Sequence, residues 1–152
     1  MPTAIALDET HIYWVSTGSG TVMRSAKDGA PLQQLAGGQG QLSSLALTSD
    51  SVFWTDGTSG EVLSVGKGGG SPSVVASGQS GPASIAVAPN VVYWGNELGG
   101  QVLVLPADST SITEVAVGQS QPVGLEVDGA DVYWLNKLDV DNRLVRASCD
   151  PL

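Results

Sequence analysis

Tryptophan stands at positions 14, 54, 94 and 134 and nowhere else, so the interval is forty residues each time. Each Trp sits in the same local setting. The four copies read Ile12-Tyr13-Trp14-Val15, Val52-Phe53-Trp54-Thr55, Val92-Tyr93-Trp94-Gly95 and Val132-Tyr133-Trp134-Leu135. A β-branched residue followed by two aromatics suits a half-buried pleated strand better than a helix. A fixed period of this length marks a repeat architecture and constrains the fold more than any local motif does. A buried Trp removes about 150–250 Å² from water, an upper estimate of about 4–6 kcal/mol each. Trp14, Trp54, Trp94 and Trp134 are therefore expected to form the core between successive repeats.

Within the first repeat, four short apolar runs alternate with turn chemistry. Ala4-Ile5-Ala6-Leu7 is apolar on both faces, as an innermost strand covered on both sides would be. Asp8-Glu9-Thr10-His11 turns into the Trp14 strand, and Ser16-Thr17-Gly18-Ser19-Gly20 turns again. Thr21 to Ser25 reads as a third strand. After Lys27-Asp28-Gly29-Ala30-Pro31 comes a polar outer strand, Leu32 to Ala36. The second and third repeats restate this order. The fourth follows it as far as Leu144-Val145-Arg146, which falls into register after two extra residues in the loop from Leu135 to Asn142. The expected fold is all-β, with four repeats of about forty residues and four antiparallel strands in each. The last repeat is incomplete. The repeats run 2–41, 42–81, 82–121 and 122–152 within one domain.

The charge balance narrows the partners. Fifteen acidic residues face six basic ones, a net of −9, and no Lys/Arg cluster occurs. A nucleic-acid backbone needs such a cluster, so nucleic acid is not an expected partner. The opening Met1-Pro2-Thr3-Ala4-Ile5 lacks the basic and apolar regions of a signal peptide, and no run approaches membrane-spanning length. Neither a signal peptide within this chain nor membrane insertion is expected. Cys149 is the sole cysteine, which leaves no intrachain disulfide.

Four strands per forty residues is the size of a β-propeller blade. Phe53-Trp54-Thr55-Asp56 resembles the YWTD signature of the low-density-lipoprotein-receptor class B repeat. Pro82-Ala83-Ser84-Ile85-Ala86-Val87 and Pro122-Val123-Gly124-Leu125-Glu126-Val127 resemble the blade opening shared by YWTD and NHL propellers. The resemblance spans almost the whole chain. It implies a propeller, and in those families the compartment is often extracytoplasmic. The Asp of the signature is kept at Asp56, whereas Ser16, Asn96 and Asn136 stand in its place elsewhere. Resembling propellers have six or more blades, and about three and three-quarters are present here. Closure therefore has three routes: further blades, self-association of two chains into a ring of about eight, or a strained four-bladed ring. The first two are preferred.

The resemblance also implies that the loops after the Trp strands and the linkers around Gln39, Gln79 and Gln119 share one face. Loops held on a rigid scaffold are where binding residues concentrate. Asp56, Asn96, Glu97, Asn136 and Lys137 are its polar candidates, although Asn and Asp also favour turns for backbone reasons. Catalysis has little support. His11 is the sole histidine and falls on the opposite face, so neither a Ser-His-Asp set nor a His/Cys metal cluster can be assembled. Asp139-Val140-Asp141-Asn142 resembles a calcium loop only faintly, lacking its Gly and distant Glu. The expectation is a non-catalytic binding or scaffold module without metal or cofactor, presenting its loop face to a protein, peptide or glycan. The alternative is part of a six-or-more-bladed propeller hydrolase or lyase, of the metal-dependent lactonase kind.

Overall fold

The computed structural model describes residues 1–138 and 143–148. They form three four-stranded antiparallel sheets and one of three strands, each a meander in sequence order. The first blade holds β1 (Pro2–Leu7), β2 (His11–Ser16), β3 (Thr21–Ala26) and β4 (Gln33–Ala36). The second holds β5 (Leu42–Leu47), β6 (Ser51–Asp56), β7 (Glu61–Gly66) and β8 (Ser73–Ala76). The third holds β9 (Pro82–Ala88), β10 (Val91–Asn96), β11 (Gln101–Pro106) and β12 (Thr113–Ala116). In the fourth, β13 (Pro122–Asp128), β14 (Asp131–Asn136) and β15 (Leu144–Ser148) follow, with no fourth strand among the described residues. His11 opens β2 and is not part of the turn before it. Among the described residues no helix is long and apolar enough to cross a membrane.

Period-two alternation gives every sheet two apolar faces, and the blades stack through them. One face carries the Trp of the repeat and the other carries the aromatic before it. Tyr13, Val15, Val22 and Leu35 of the first blade pack on Leu42, Leu45, Val52, Trp54 and Leu63 of the second. The second blade presents Val62, Ala76 and Phe53 to Ile85, Val92, Trp94 and Leu103 of the third. The third presents Ala86, Tyr93 and Val102 to Leu125, Val132 and Trp134 of the fourth. Near the axis β1 packs on β5, β5 on β9 and β9 on β13.

Two expectations are corrected at the ends of this stack. Trp54, Trp94 and Trp134 are fully buried between blades, whereas Trp14 is half-buried because none of the described blades packs on its face. For the same reason β1 is covered on one face only, and Ile5 and Leu7 are 66% and 58% exposed. β1 and β13 do not pack together as the other innermost neighbours do. The strained four-bladed ring is therefore not formed, and the blades make an open arc.

Candidate functional site

The loops following the Trp strands and the linkers between blades meet at one end of the arc. A single polar device recurs there. The indole N–H groups of Trp54, Trp94 and Trp134 donate to the side-chain carbonyls of Gln39, Gln79 and Gln119, at 3.2, 2.8 and 3.0 Å. Each Gln lies in the linker preceding the blade whose Trp it holds. Asn96 and Asn136 also donate through Nδ2 to Gln79 and Gln119, at 3.0 and 3.2 Å. The Gln amide nitrogens then donate to linker carbonyls at Gly37, Ser77 and Val117. Paired in this way, the buried indole N–H regains inside the protein the hydrogen bond it gives up to water, which offsets its desolvation.

The backbone fixes the Gln in place. The N–H groups of Gln39, Gln79 and Gln119 donate to the carbonyls of Gly20, Gly60 and Gly100 in the turn of the blade before. Those three glycines are left-handed, with φ of +60°, +67° and +63°, and a Cβ on Gly60 would stand 2.6 Å from the carbonyl oxygen of Gln79. Only glycine suits both demands. Further along, the N–H groups of Gly57, Glu97 and Lys137 donate to Gln41, Gly81 and Gln121. Each linker thus ties the turn of one blade to the turn of the next.

Of the five polar residues expected on this face, three are taken into the framework. Asp56 is 3% exposed. Its Oδ1 accepts from the N–H groups of Thr58 and Ser59 at 2.9 and 3.2 Å, and its Oδ2 accepts from Gly40 at 2.7 Å. Asn96 and Asn136 are buried against their Gln partners. The other two remain accessible and meet across a seam. Lys137 Nζ donates to Glu97 Oε1 at 2.8 Å, linking the third and fourth blades. Beside them, Leu98 and Leu138 are 75% and 64% exposed at the tips of the same turns. Sequence reasoning passed over these two leucines, although an apolar residue after a charged one in the turn following the Trp strand, twice at the forty-residue spacing, was a readable signal.

The opposite end of the blades varies from seam to seam. Between the first and second blades, Lys67 Nζ reaches Asp8 Oδ2 at 2.9 Å and lies 5.5 Å from the Tyr13 ring centroid. Tyr13 donates its hydroxyl to the same carboxylate at 3.0 Å, and the Arg24 guanidinium donates to the Lys67 carbonyl. The Lys67 ammonium and the N–H groups of His11 and Thr10 hold the Asp8 carboxyl well below the usual carboxylate range. Burial, and then the Asp8 carboxylate, push the Tyr13 hydroxyl up. Between the second and third blades these positions hold Ala107, Thr48 and Phe53. A cleft of about 580 Å³ opens there, lined by Leu47, Asp50, Phe53, Val87 and Asn90 among others. On the fourth blade, Arg146 pairs with Asp131 at 2.6 Å, which lowers that carboxyl and raises the guanidinium.

No three His, Cys, Asp or Glu side chains gather as a metal set among the described residues. His11 lies at this varied end, with its Nδ1 2.8 Å from the Thr10 hydroxyl. Glu126 is exposed on β13. The segment Asp139 to Asn142 and Cys149 lie outside the described residues.

No family model and no curated protein matches the chain. Solved structures do match. A nidogen/laminin complex aligns at TM-score 0.80 and 20% identity, over 89% of this chain and 56% of that one. Virginiamycin B lyase from Staphylococcus aureus aligns at TM-score 0.76 and 15% identity, over 97% and 55%. The computationally designed Ika4 protein aligns at TM-score 0.83 and 18% identity, over 99% and 92%. The chain thus spans about half the length of the nidogen/laminin and lyase chains it matches. At these identities the likeness is one of fold, and the fold is that of β-propeller blades.

Proposed function

We propose that the chain is a non-catalytic binding or scaffold module of the YWTD/NHL-like kind, whose loop face receives a protein or peptide at the seam between its third and fourth blades. The observation that carries this reading is the pairing of two exposed leucines, Leu98 and Leu138, with the Glu97–Lys137 ion pair on one rigid rim. Exposed apolar side chains rimmed by charge are what a protein interface offers, and the linkers hold them without further ordering cost. Asp56, Asn96 and Asn136 position this rim from beneath and do not touch the ligand. Among the similar structures, the nidogen/laminin complex is itself an assembly of proteins, which accords with the same use of the fold. Glycan binding is the weaker form of this reading, since the accessible rim carries no aromatic side chain.

A displayed peptide library screened against the labelled chain, with a glycan array beside it, tests the proposal. Binders are expected to be peptides that lose affinity at least tenfold on Leu98→Asp or Leu138→Asp and keep it on substitution of the exposed Ile5. Binders indifferent to both leucines would refute the loop-face assignment. The competing reading, a metal-dependent propeller hydrolase or lyase, accords with the lyase among the similar structures. It predicts stoichiometric metal in the purified protein; elemental analysis decides.

A further inference from the structure

The arc ends in two faces that are the two halves of its own internal seam. At the head, the Trp14 face of the first blade is open, and Ile5 is 66% exposed where its equivalents Leu45, Ile85 and Leu125 are 8%, 4% and 4%. At the tail, the Tyr133 face of the fourth blade is open. Leu135 and Leu144 are 44% and 63% exposed there, and their first-blade equivalents Val15 and Val22 are 0%. The register of β14 with β15 matches that of β2 with β3, setting Tyr133 opposite Arg146 as Tyr13 is opposite Arg24.

Charge gives these two faces an address. The seam between the first and second blades joins Asp8, Tyr13 and Arg24 to Lys67. The second blade carries Thr48, Phe53 and Ser64 at the corresponding places, and the third carries Ala88, Tyr93 and Val104. The full trio returns only on the fourth blade, as Asp128, Tyr133 and Arg146. Its Asp128 is exposed, and Asp131 adds a second carboxylate beside it. The lysine returns only on the first blade. Lys27 donates its N–H to the Thr10 carbonyl at 2.9 Å, as Lys67 does to Asp50 at 2.8 Å, so it holds the same loop position. Its side chain is exposed and pairs with no described carboxylate. The acceptor set therefore lies at the open tail and its donor at the open head of the same chain.

We propose that two copies of this chain close head to tail into an eight-bladed ring. The Trp14 face of each seats on the Tyr133 face of the other, and Lys27 of one copy takes, on the other's Asp128 and Tyr133, the place that Lys67 takes on Asp8 and Tyr13. The contact is heterologous, and such a contact gives a finite ring when its rotation closes. The proposal concerns a surface separate from the loop face and stands or falls independently of the binding reading.

Light scattering on the full chain after size exclusion gives the first test, with twice 15.5 kDa expected at micromolar concentration. A folded monomer at 100 micromolar, or open assemblies larger than two, would overturn the proposal. Ile5→Asp blocks the head and Leu135→Asp blocks the tail. Both side chains are exposed in the single chain, so each variant is expected to fold, checked by tryptophan fluorescence and circular dichroism. Each alone is expected to be monomeric, and their equimolar mixture is expected to form a heterodimer through the one intact head and the one intact tail. Pairing of like faces would instead leave one variant dimeric by itself, and the head-to-tail arrangement would be wrong. Lys27→Asp is expected to weaken assembly about tenfold or more, and Lys27→Asp with Asp128→Lys to recover most of it. No effect from either change would remove Lys27 from the contact.

Discussion

The two ends of each seam are built on different plans. At the loop end, Gln39, Gln79 and Gln119 accept the indole proton of the next Trp in the same way three times. At the turn end, the first seam is filled by Lys67 against Asp8 and Tyr13, whereas the second is left as a cleft behind Ala107. The uniform end explains why the blades stack at all. The individual end distinguishes one seam from another. A repeat protein needs both, since near-identical interfaces alone cannot specify which blade follows which.

The largest expected effect separates the covered Trp from the uncovered one. Trp94→Ala should cost about 3–5 kcal/mol in urea unfolding, by transfer and cavity together, and Trp14→Ala should cost less than half of that in dilute solution. If the ring forms, the Trp14→Ala loss should grow with protein concentration. Next comes the uniform end. Gln79→Leu leaves the buried Trp94 indole N–H without its acceptor and Asn96 with only its longer contact to Gln101 at 3.4 Å, and a loss of about 2–3 kcal/mol is expected. Gly60→Ala sharpens the same point from the backbone side, because its Cβ would stand 2.6 Å from the Gln79 carbonyl oxygen.

The individual end should respond more weakly and with pH. Lys67→Ala is expected to cost about 1 kcal/mol at neutral pH through the partly exposed ion pair and the Tyr13 ring contact. The folded Asp8 carboxyl is depressed, so its contribution is fully present above the unfolded carboxylate value of about 3.9. It is lost as pH falls below that value towards the folded one. The gap between wild type and Lys67→Ala should therefore narrow in acid, and a gap that stays constant to pH 2 would remove the ion pair from the account. Smallest of all, Lys137→Ala should change stability by less than about 0.5 kcal/mol, since the Glu97 pair is exposed. That same substitution is expected to alter ligand affinity at the loop face.

The strands were readable because alternation and the Trp period both report burial directly. The strand pairs around Trp54 and Trp94 fall where the residues predict, and among the described residues the fourth blade carries the three strands expected of it. The loop face was readable only as a location. Asp56, Asn96 and Asn136 look like surface polar residues in sequence, yet besides any local partners they bind the Gly40 N–H, sixteen residues upstream, and the Gln79 and Gln119 side chains, seventeen residues upstream. The acceptors Gln39, Gln79 and Gln119 do recur every forty residues, but the period does not say which side chains they hold. Trp14 is the converse case: its local sequence matches its three counterparts, and only its place at the end of the stack makes it half-buried. Leu98 and Leu138 differ from these: their place in the turns after the Trp strands was legible, and only the extent of their exposure needed the structure.

The equality of the three loop-end contacts also bears on how this chain finds its native state. During refolding, the indole of Trp94 meets Gln39 on as good terms as Gln79, because the local geometry asked of each is the same. A blade can therefore dock forty residues out of step, or onto the equivalent surface of a neighbouring molecule. Such slipped arrangements keep the indole-to-Gln hydrogen bond and lose the contacts of Lys67 with Asp8 and Arg24. Removing that pair should raise the yield of misassembled species in concentrated refolding well beyond what its modest energy suggests, since it discriminates between registers that are otherwise degenerate.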